Sequence, residues 1–315
     1  MGIWKDGIMG AVTGDALGCP VEFREREELA LSPVSGMRGH GTFDQPAGTW
    51  TDDSSMTLAT LDSILTTLGI DLKDIMQDFM GWYFEGSYTP FGTASDIGGT
   101  CSNAIKKYAK TRDPNTCGDT DESCNGNGSL MRIMPVCLYC YSKKMSDAEA
   151  IKTIHDVSAL THAHLRSKMA CGIYYFCAKA ILDEDKDLID ELQDGIDNAV
   201  SYYKQNLDST VELADFARLT NLYKFRDVPS TEIKSSGYVI DTIEASIWSL
   251  ITTTTLKQAL LKAVNLGEDT DTVAAIAGGL AGLYYGYGDI PSAWLSVIQR
   301  KDWIEGLCEE AEKEF

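Results

Sequence analysis

"TVAAIAGGLAGLYYGYG", residues 272–288, is the most apolar stretch of this 315-residue chain, and its reading decides the fold. A bilayer span needs roughly 20 apolar residues, whereas this run is shorter and dominated by Gly and Ala. Ala274, Gly278, Gly282 and Gly286 recur every four residues, which sets them in one row along a helix and lets a neighbouring helix come close. The opening segment "GIMGAVTGDALG", residues 7–18, carries a matching row in Gly10, Gly14 and Gly18. Glycine costs about 1 kcal/mol per residue in an exposed helix interior, so close packing of the two rows is the natural compensation. The two ends of the chain are expected to meet as buried helices.

The helical period continues almost throughout. "SDAEAIKTIHDVSALT" opens with a capping box in which Ser146 reaches toward Glu149, and "TLKQALLKAVNLG" repeats the pattern with Thr255 and Gln258. "DLKDIMQDFMGWYFEG" (71–86), "SNAIKKYAK" (102–110), "KMACGIYYFCAKAILDED" (168–185) and "IDTIEASIWSL" (240–250) place apolar residues three and four apart. Period-two alternation is nowhere sustained. The segments 33–48, 111–129 and 225–237 read as connections, and no repeat or low-complexity linker divides the chain. The expected fold class is all-α, one compact multi-helix domain over residues 1–315.

With 27 basic and 47 acidic residues the formal charge is −20, which argues against nucleic acid or anionic lipid as a partner. Any phosphate on a ligand must be held locally, by backbone N–H groups, a helix N-terminus or a metal. The nine cysteines are odd in number and scattered, so free thiols in a reducing compartment are expected. Cys137 and Cys140 form a lone CxxC without further zinc ligands. "MGIWKDGIMG" shows no signal peptide, and the chain is expected to be a cytoplasmic monomer that avoids membranes.

Two acidic clusters carry the chemistry. In "TWTDDSSMTLAT" (49–60), Thr51, Asp52 and Asp53 precede an apolar helical run, and in "NLGEDTDTVAAIAGG" (265–279) Asp269, Asp271 and Thr272 do the same. A capping role needs one carboxylate, yet each cluster supplies two and a threonine. Four carboxylates converging in a half-buried place repel unless cations neutralise them, and two hard divalent ions, Mg²⁺ or Mn²⁺, suit these oxygen ligands. A third element, "SCNGNGSLMRIMPV" (123–136), offers Gly126 and Gly128 ahead of a helix, an arrangement in which successive N–H groups can face an anion.

In order along the chain, "GAVTGDALGCPVEF", "GTWTDDSSMTLA", "SDIGGT", "NGNGSLMRIMPV", "THAH", "SGYVIDTIEASIW" and "NLGEDTDTVAAIAGGLAGLYYG" resemble the motifs of the ADP-ribosylglycohydrolase family. The resemblance implies a compact all-α hydrolase with a dinuclear Mg²⁺ or Mn²⁺ centre that cleaves ADP-ribose from a protein side chain or small molecule. It implies Thr51, Asp52, Asp53, Asp269, Asp271 and Thr272 as metal ligands, and a substrate site around Ser123, Asn125, Gly126, Asn127, Gly128, Ser129, Met131, His162 and Tyr238. Glu22 of "GCPVEF" and Asp96 of "SDIGG" match the family's catalytic carboxylates; either can accept the proton of an attacking water. The chain departs from the family pattern at Glu268, where glycine is frequent, and in lacking a proline after His164. The acceptor stays open between arginine, serine, a base and an ester. Two other readings are a metal-dependent nucleotide phosphohydrolase and a non-catalytic, crystallin-like member of the fold.

Overall fold

The computed structural model describes residues 2–183, 186–206 and 210–315. Its helices run α1 (Ile3–Gly18), α2 (Arg26–Leu31), α3 (Asp52–Thr67), α4 (Leu72–Glu85), α5 (Gly99–Thr111), α6 (Met134–Ser142), α7 (Asp147–Ser158) and α8 (Leu165–Asp183) in the first part of the chain. They continue as α9 (Leu188–Asn206), α10 (Thr210–Asp215), α11 (Leu222–Arg226), α12 (Val239–Ile251), α13 (Leu256–Val264), α14 (Thr270–Tyr285), α15 (Ser292–Leu295) and α16 (Lys301–Glu314). Among the described residues β-structure is limited to two isolated bridges, Asp119 with His162 and Gly126 with Tyr238.

α1 and α14 form the axis. A Cβ on Gly14 would lie 2.0 Å from the Ala274 carbonyl oxygen, and one on Gly10 would lie 2.2 Å from that of Gly278. Gly18 meets the backbone of Asp271, at 2.4 Å from an added Cβ to its Cα, so the contact extends to the start of α14. The two glycine rows therefore interlock as backbone against backbone. Gly286 differs from its row: with φ at 84° it is the residue that ends α14. Around this pair pack α3, α6, α13 and α16 on one helix and α8, α12 and α13 on the other, so both are buried nearly all round.

Local sequence rules place most of the remaining helices. Ser146 Oγ accepts from the Glu149 N–H while Glu149 Oε2 accepts from the Ser146 N–H, a complete capping box for α7. At α13 only half of the expected box forms: Thr255 caps Gln258 N–H, but Gln258 Oε1 accepts from the N–H of Thr254, one residue earlier. The helix expected over 168–185 is α8, and positions 184 and 185 lie outside the described residues. All nine cysteines are free, and Cys137 and Cys140 are buried inside α6. Among the described residues no helix is long and apolar enough to cross a membrane.

Replacing Gly14 by Ala drives a methyl group into the Ala274 carbonyl, and should lower the unfolding free energy by about 3 kcal/mol or more. In Gly306→Ala, inside α16 with no neighbour within 4 Å of the new methyl, the sign should reverse to a gain of about 0.5–1 kcal/mol. Urea unfolding of both variants is the check; equal effects would mean that helix propensity, and not close approach, governs the first site.

Candidate metal centre and cavity

α3 and α14 both begin where α1 ends, which gathers the two acidic clusters at three helix termini. The capping role that Asp52 and Asp53 could have played is filled from another helix. Asp15, on the last turns of α1, accepts from Thr51 N at 3.0 Å, Ser54 N at 3.0 Å and Ser54 Oγ at 2.5 Å. Asp52 and Asp53, at the first two positions of α3, are thereby released from capping, although both are buried. Sequence reasoning quoted Asp15 within a motif but gave it no role.

Two threonines join the clusters. Thr51 Oγ1 lies 3.2 Å from Asp271 Oδ2 and 3.4 Å from Asp53 Oδ2, and Thr272 Oγ1 lies 3.3 Å from Asp53 Oδ2. Thr51 Oγ1 also lies 3.1 Å from Asp15 Oδ1, so one hydroxyl proton faces three carboxylates and can serve only one of them. Oxygens of Glu22, Asp269 and Asp271 come within 4.8 Å of one another. Burial, followed by mutual repulsion, pushes the carboxyls of Glu22, Asp52, Asp53 and Asp271 well above the usual range. Asp15, despite its hydrogen bonds, is raised by burial to about 6.

The group these residues fit can be tested on orphaned atoms. Glu22 Oε2 and Asp53 Oδ1 are buried with no hydrogen-bond partner among the described residues, of which no Lys or Arg lines the adjoining cavity. Such oxygens are costly unless something positive meets them. The nearby thiols of Cys19 and Cys101 are pushed up by burial and stay neutral, leaving an all-oxygen donor set, which suits a hard divalent cation.

The cavity beside this cluster has a volume of about 320 Å³. It is lined by Asp52, Asp269 and Thr272 of the acidic clusters, by Glu22, Phe23 and Asp96, and by Gly126, Asn127, Gly128, Met131 and His162. Asn127 Nδ2 donates to Asp269 Oδ2 at 2.6 Å, tying the glycine-rich turn to the acidic cluster. The turn is anchored to the 237–239 segment by Asn127 N to Gly237 O and Val239 N to Asn125 O, each 3.0 Å. A Cβ on Gly128 would meet Cys101 Sγ at 2.7 Å and His162 at 3.0 Å, so any larger residue there must displace these two buried side chains. His162 is held neutral, its pKa lowered to about 3 by burial and by Arg132.

Other expected residues lie elsewhere. Asn125 is buried and accepts from Ser167 Oγ behind the turn; Ser129 is buried against Ser158; Ser123 is exposed and bonded to Asp121. The Tyr238 hydroxyl accepts from Arg166 and does not reach the cavity. Glu268 points its side chain to solvent, while its backbone accepts from Phe23 N at 2.7 Å and donates to Arg24 O at 2.8 Å. Asp96, with φ at 56°, does not cap α5; Gly98 occupies that position without a side-chain cap, so the first N–H groups of α5, at Gly99, Thr100 and Cys101, stand beside the cavity. That feature was visible only as the uncapped "GGT".

The site is an all-helical carboxylate centre beside a glycine-lined cavity, and comparison with known proteins names the family that carries it. The family model for ADP-ribosylglycohydrolase matches residues 5–315. An ADP-ribosylarginine hydrolase, Tri1, of Serratia proteamaculans is 31% identical over 306 residues, 97% of this chain and 78% of that protein. The ADP-ribosyl-[dinitrogen reductase] glycohydrolase of Rhodospirillum rubrum is 30% identical over 93% of this chain and 89% of its own length. A solved structure described as an ADP-ribosylglycohydrolase-related protein complex superposes with a TM-score of 0.80 at 27% identity, covering 99% of this chain and 97% of the other. The chain belongs to the ADP-ribosylglycohydrolase family and is a hydrolase acting on ADP-ribose linkages.

The raised carboxyls give stability a definite pH sign. The folded protein holds protons that the unfolded chain has released, so without metal the unfolding free energy falls as pH rises through and above the ordinary carboxylate range. Asp78 and Glu244, each raised to about 7 by burial, act in the same direction outside the site. The thermal midpoint in EDTA should therefore drop between about pH 5 and about pH 7.5, less steeply in Asp52→Asn, with saturating Mg²⁺ or Mn²⁺ recovering the difference in the wild type alone. Parallel pH profiles for the two proteins in EDTA would contradict the electrostatic account of the centre.

Proposed function

We propose that the protein holds two divalent cations, Mg²⁺ or Mn²⁺, through Thr51, Asp52, Asp53, Asp269, Asp271 and Thr272, and hydrolyses the glycosidic bond between ADP-ribose and an arginine side chain. The observation that carries this reading is the pair of buried, unpartnered oxygens, Glu22 Oε2 and Asp53 Oδ1, in a carboxylate cluster beside a cavity that no Lys or Arg among the described residues lines. Arginine is placed first among acceptors because relatives from Serratia proteamaculans and Pseudomonas putida are named ADP-ribosylarginine hydrolases. Carboxyls lining the cavity also offer acceptors to the N–H groups of a guanidinium. Nine free thiols agree with a cytoplasmic setting, and a monomer suffices because the site is built within one chain.

Bound cations would supply a water of lowered pKa beside the sugar and positive charge against its hydroxyls. The chain's residues do the rest. Glu22 and Asp96 stand together at the cavity, close enough for each to alter the other's proton affinity, so one can take the proton of the attacking water and the pair can return one to the departing nitrogen. The N–H groups of Gly126 and Gly128 and the uncapped start of α5 can face the diphosphate, while that of Asn127 is spent on Gly237. Neutral His162 contributes a hydrogen bond and no charge.

The purified protein, given ADP-ribosylated arginine and serine peptides, should release free ADP-ribose in Mg²⁺ or Mn²⁺ and none in EDTA, followed by chromatography with mass detection. Asp52→Ala and Asp269→Ala should lose at least about a thousandfold in kcat/KM while keeping helical circular dichroism. Release of AMP or phosphate in place of ADP-ribose would favour a nucleotide phosphohydrolase. Metal-independent turnover, or activity surviving in either variant, would refute the ligand assignment.

A further inference from the structure

We infer that Phe23 is a specificity-determining residue that stacks on the guanidinium of the acceptor, braced by Phe43. The inference rests on the reading above for the position of the reacting bond, and adds the residue that recognises what leaves.

Phe23 breaks two rules at once. Its ring is 66% exposed, more than Phe84 or Phe91, and its φ is 64°, a left-handed conformation that is unfavourable for a bulky residue. The surrounding structure enforces that conformation: Phe23 N donates to Glu268 O and the following carbonyl, that of Arg24, accepts from Glu268 N, so the residue is fixed to the turn that carries Asp269. A strained, exposed aromatic held by backbone on both sides points to function, because packing gains nothing from it. Phe43 meets the ring edge to face, with centroids 6.4 Å apart, and its neighbour Thr42 donates to the Glu22 carbonyl at 2.7 Å, so the two rings move as a unit with the Glu22 segment.

Position along the substrate selects the ligand. Phe23 follows Glu22 in sequence and both line the cavity, so the ring sits at the reacting end. Adenine is separated from that end by two riboses and the diphosphate. What lies next to the anomeric carbon is the acceptor. A guanidinium is planar and cationic and stacks on aromatic faces. The carboxyls of Glu22, Asp96 and Asp269 line the cavity and can accept from the guanidinium N–H groups, and among the described residues no Lys or Arg lines the cavity to oppose it. A serine acceptor offers neither a plane nor a charge to this ring.

The test compares wild type with Phe23→Ala and Phe23→Leu, reading kcat/KM on ADP-ribosylarginine and ADP-ribosylserine peptides and, separately, the Kd of free ADP-ribose by calorimetry. Both variants are expected to lose about tenfold on the arginine linkage, less than twofold on the serine linkage wherever wild type cleaves it, and to bind ADP-ribose as wild type does. A loss mirrored in ADP-ribose affinity would assign the ring to the nucleotide and overturn the proposal. So would full activity in Phe23→Leu, which would show that bulk alone matters, or an unchanged arginine rate in Phe23→Ala. If wild type releases no ADP-ribose from the arginine peptide, the acceptor assignment itself fails and the stacking role falls with it, an outcome distinct from an active wild type with neutral variants.

Discussion

Backbone contact between α1 and α14 is the constraint on which the rest depends. A side-chain interface can adjust by rotamer changes, but at Gly10, Gly14 and Gly18 the facing atoms are carbonyls and Cα atoms, with no side chain between. Helix register is therefore set to within a fraction of an ångström. Thr270 Oγ1 donates to the Gly18 carbonyl at 2.9 Å, joining the last residue of α1 to the first of α14. Asp15, within a turn of that junction, then reaches across to start α3. Three helix ends are thus located relative to each other by one close approach. The acidic residues inherit that precision.

This geometry concentrates negative charge in a place from which water is largely removed. Helix dipoles help, since Asp52, Asp53 and Asp271 lie in the first turns of α3 and α14. That contribution is about 0.3–1 kcal/mol per carboxylate and seldom above about 2. Burying an ion costs several kcal/mol after relaxation, and the repulsion among these groups adds to it. The dipoles therefore lose, by a wide margin. Protonation is one way out, and burial raises the carboxyls of Asp52 and Asp271 in that direction. A pair of divalent cations is the other, and it alone would leave the carboxylates as ligands.

The sequence made local devices legible and left tertiary ones hidden. The capping box at Ser146, the glycine rows up to Gly282 and the paired acidic clusters each depend on spacing within one segment, and these form or converge as their patterns indicate, with Gly286 alone leaving its row to end α14. Asp15 was opaque because its partners are 36 and 39 positions away and nothing in "TGDALG" reveals them. The glycine-rich segment was legible as a turn but not in its facing: within a few residues it passes from exposed Ser123, through Gly126 to Gly128 on the cavity, to Ser129 in the interior. α9 carries buried Leu188, Leu192, Gly195, Ile196, Ala199 and Tyr203 at helical spacing, a packing pattern with no chemistry to mark it.

Net charge illustrates the same division. A value of −20 speaks against polyanions on the surface, yet the proposed substrate carries a diphosphate into an acid-lined cavity. The two ends of such a molecule meet different physics. The carboxyls of Glu22, Asp96 and Asp269 offer hydrogen-bond acceptors to the proposed guanidinium, whereas among the described residues no Lys or Arg lines the cavity to attract the diphosphate. It must be held by fixed dipoles at contact distance, which Gly126, Gly128 and the uncapped start of α5 can provide without adding a formal charge. Backbone dipoles do not appear in a charge count. The formal charge therefore describes the partners that the surface repels, while the ligand that the cavity admits is decided by a few N–H groups and by whatever cations the buried carboxylates hold.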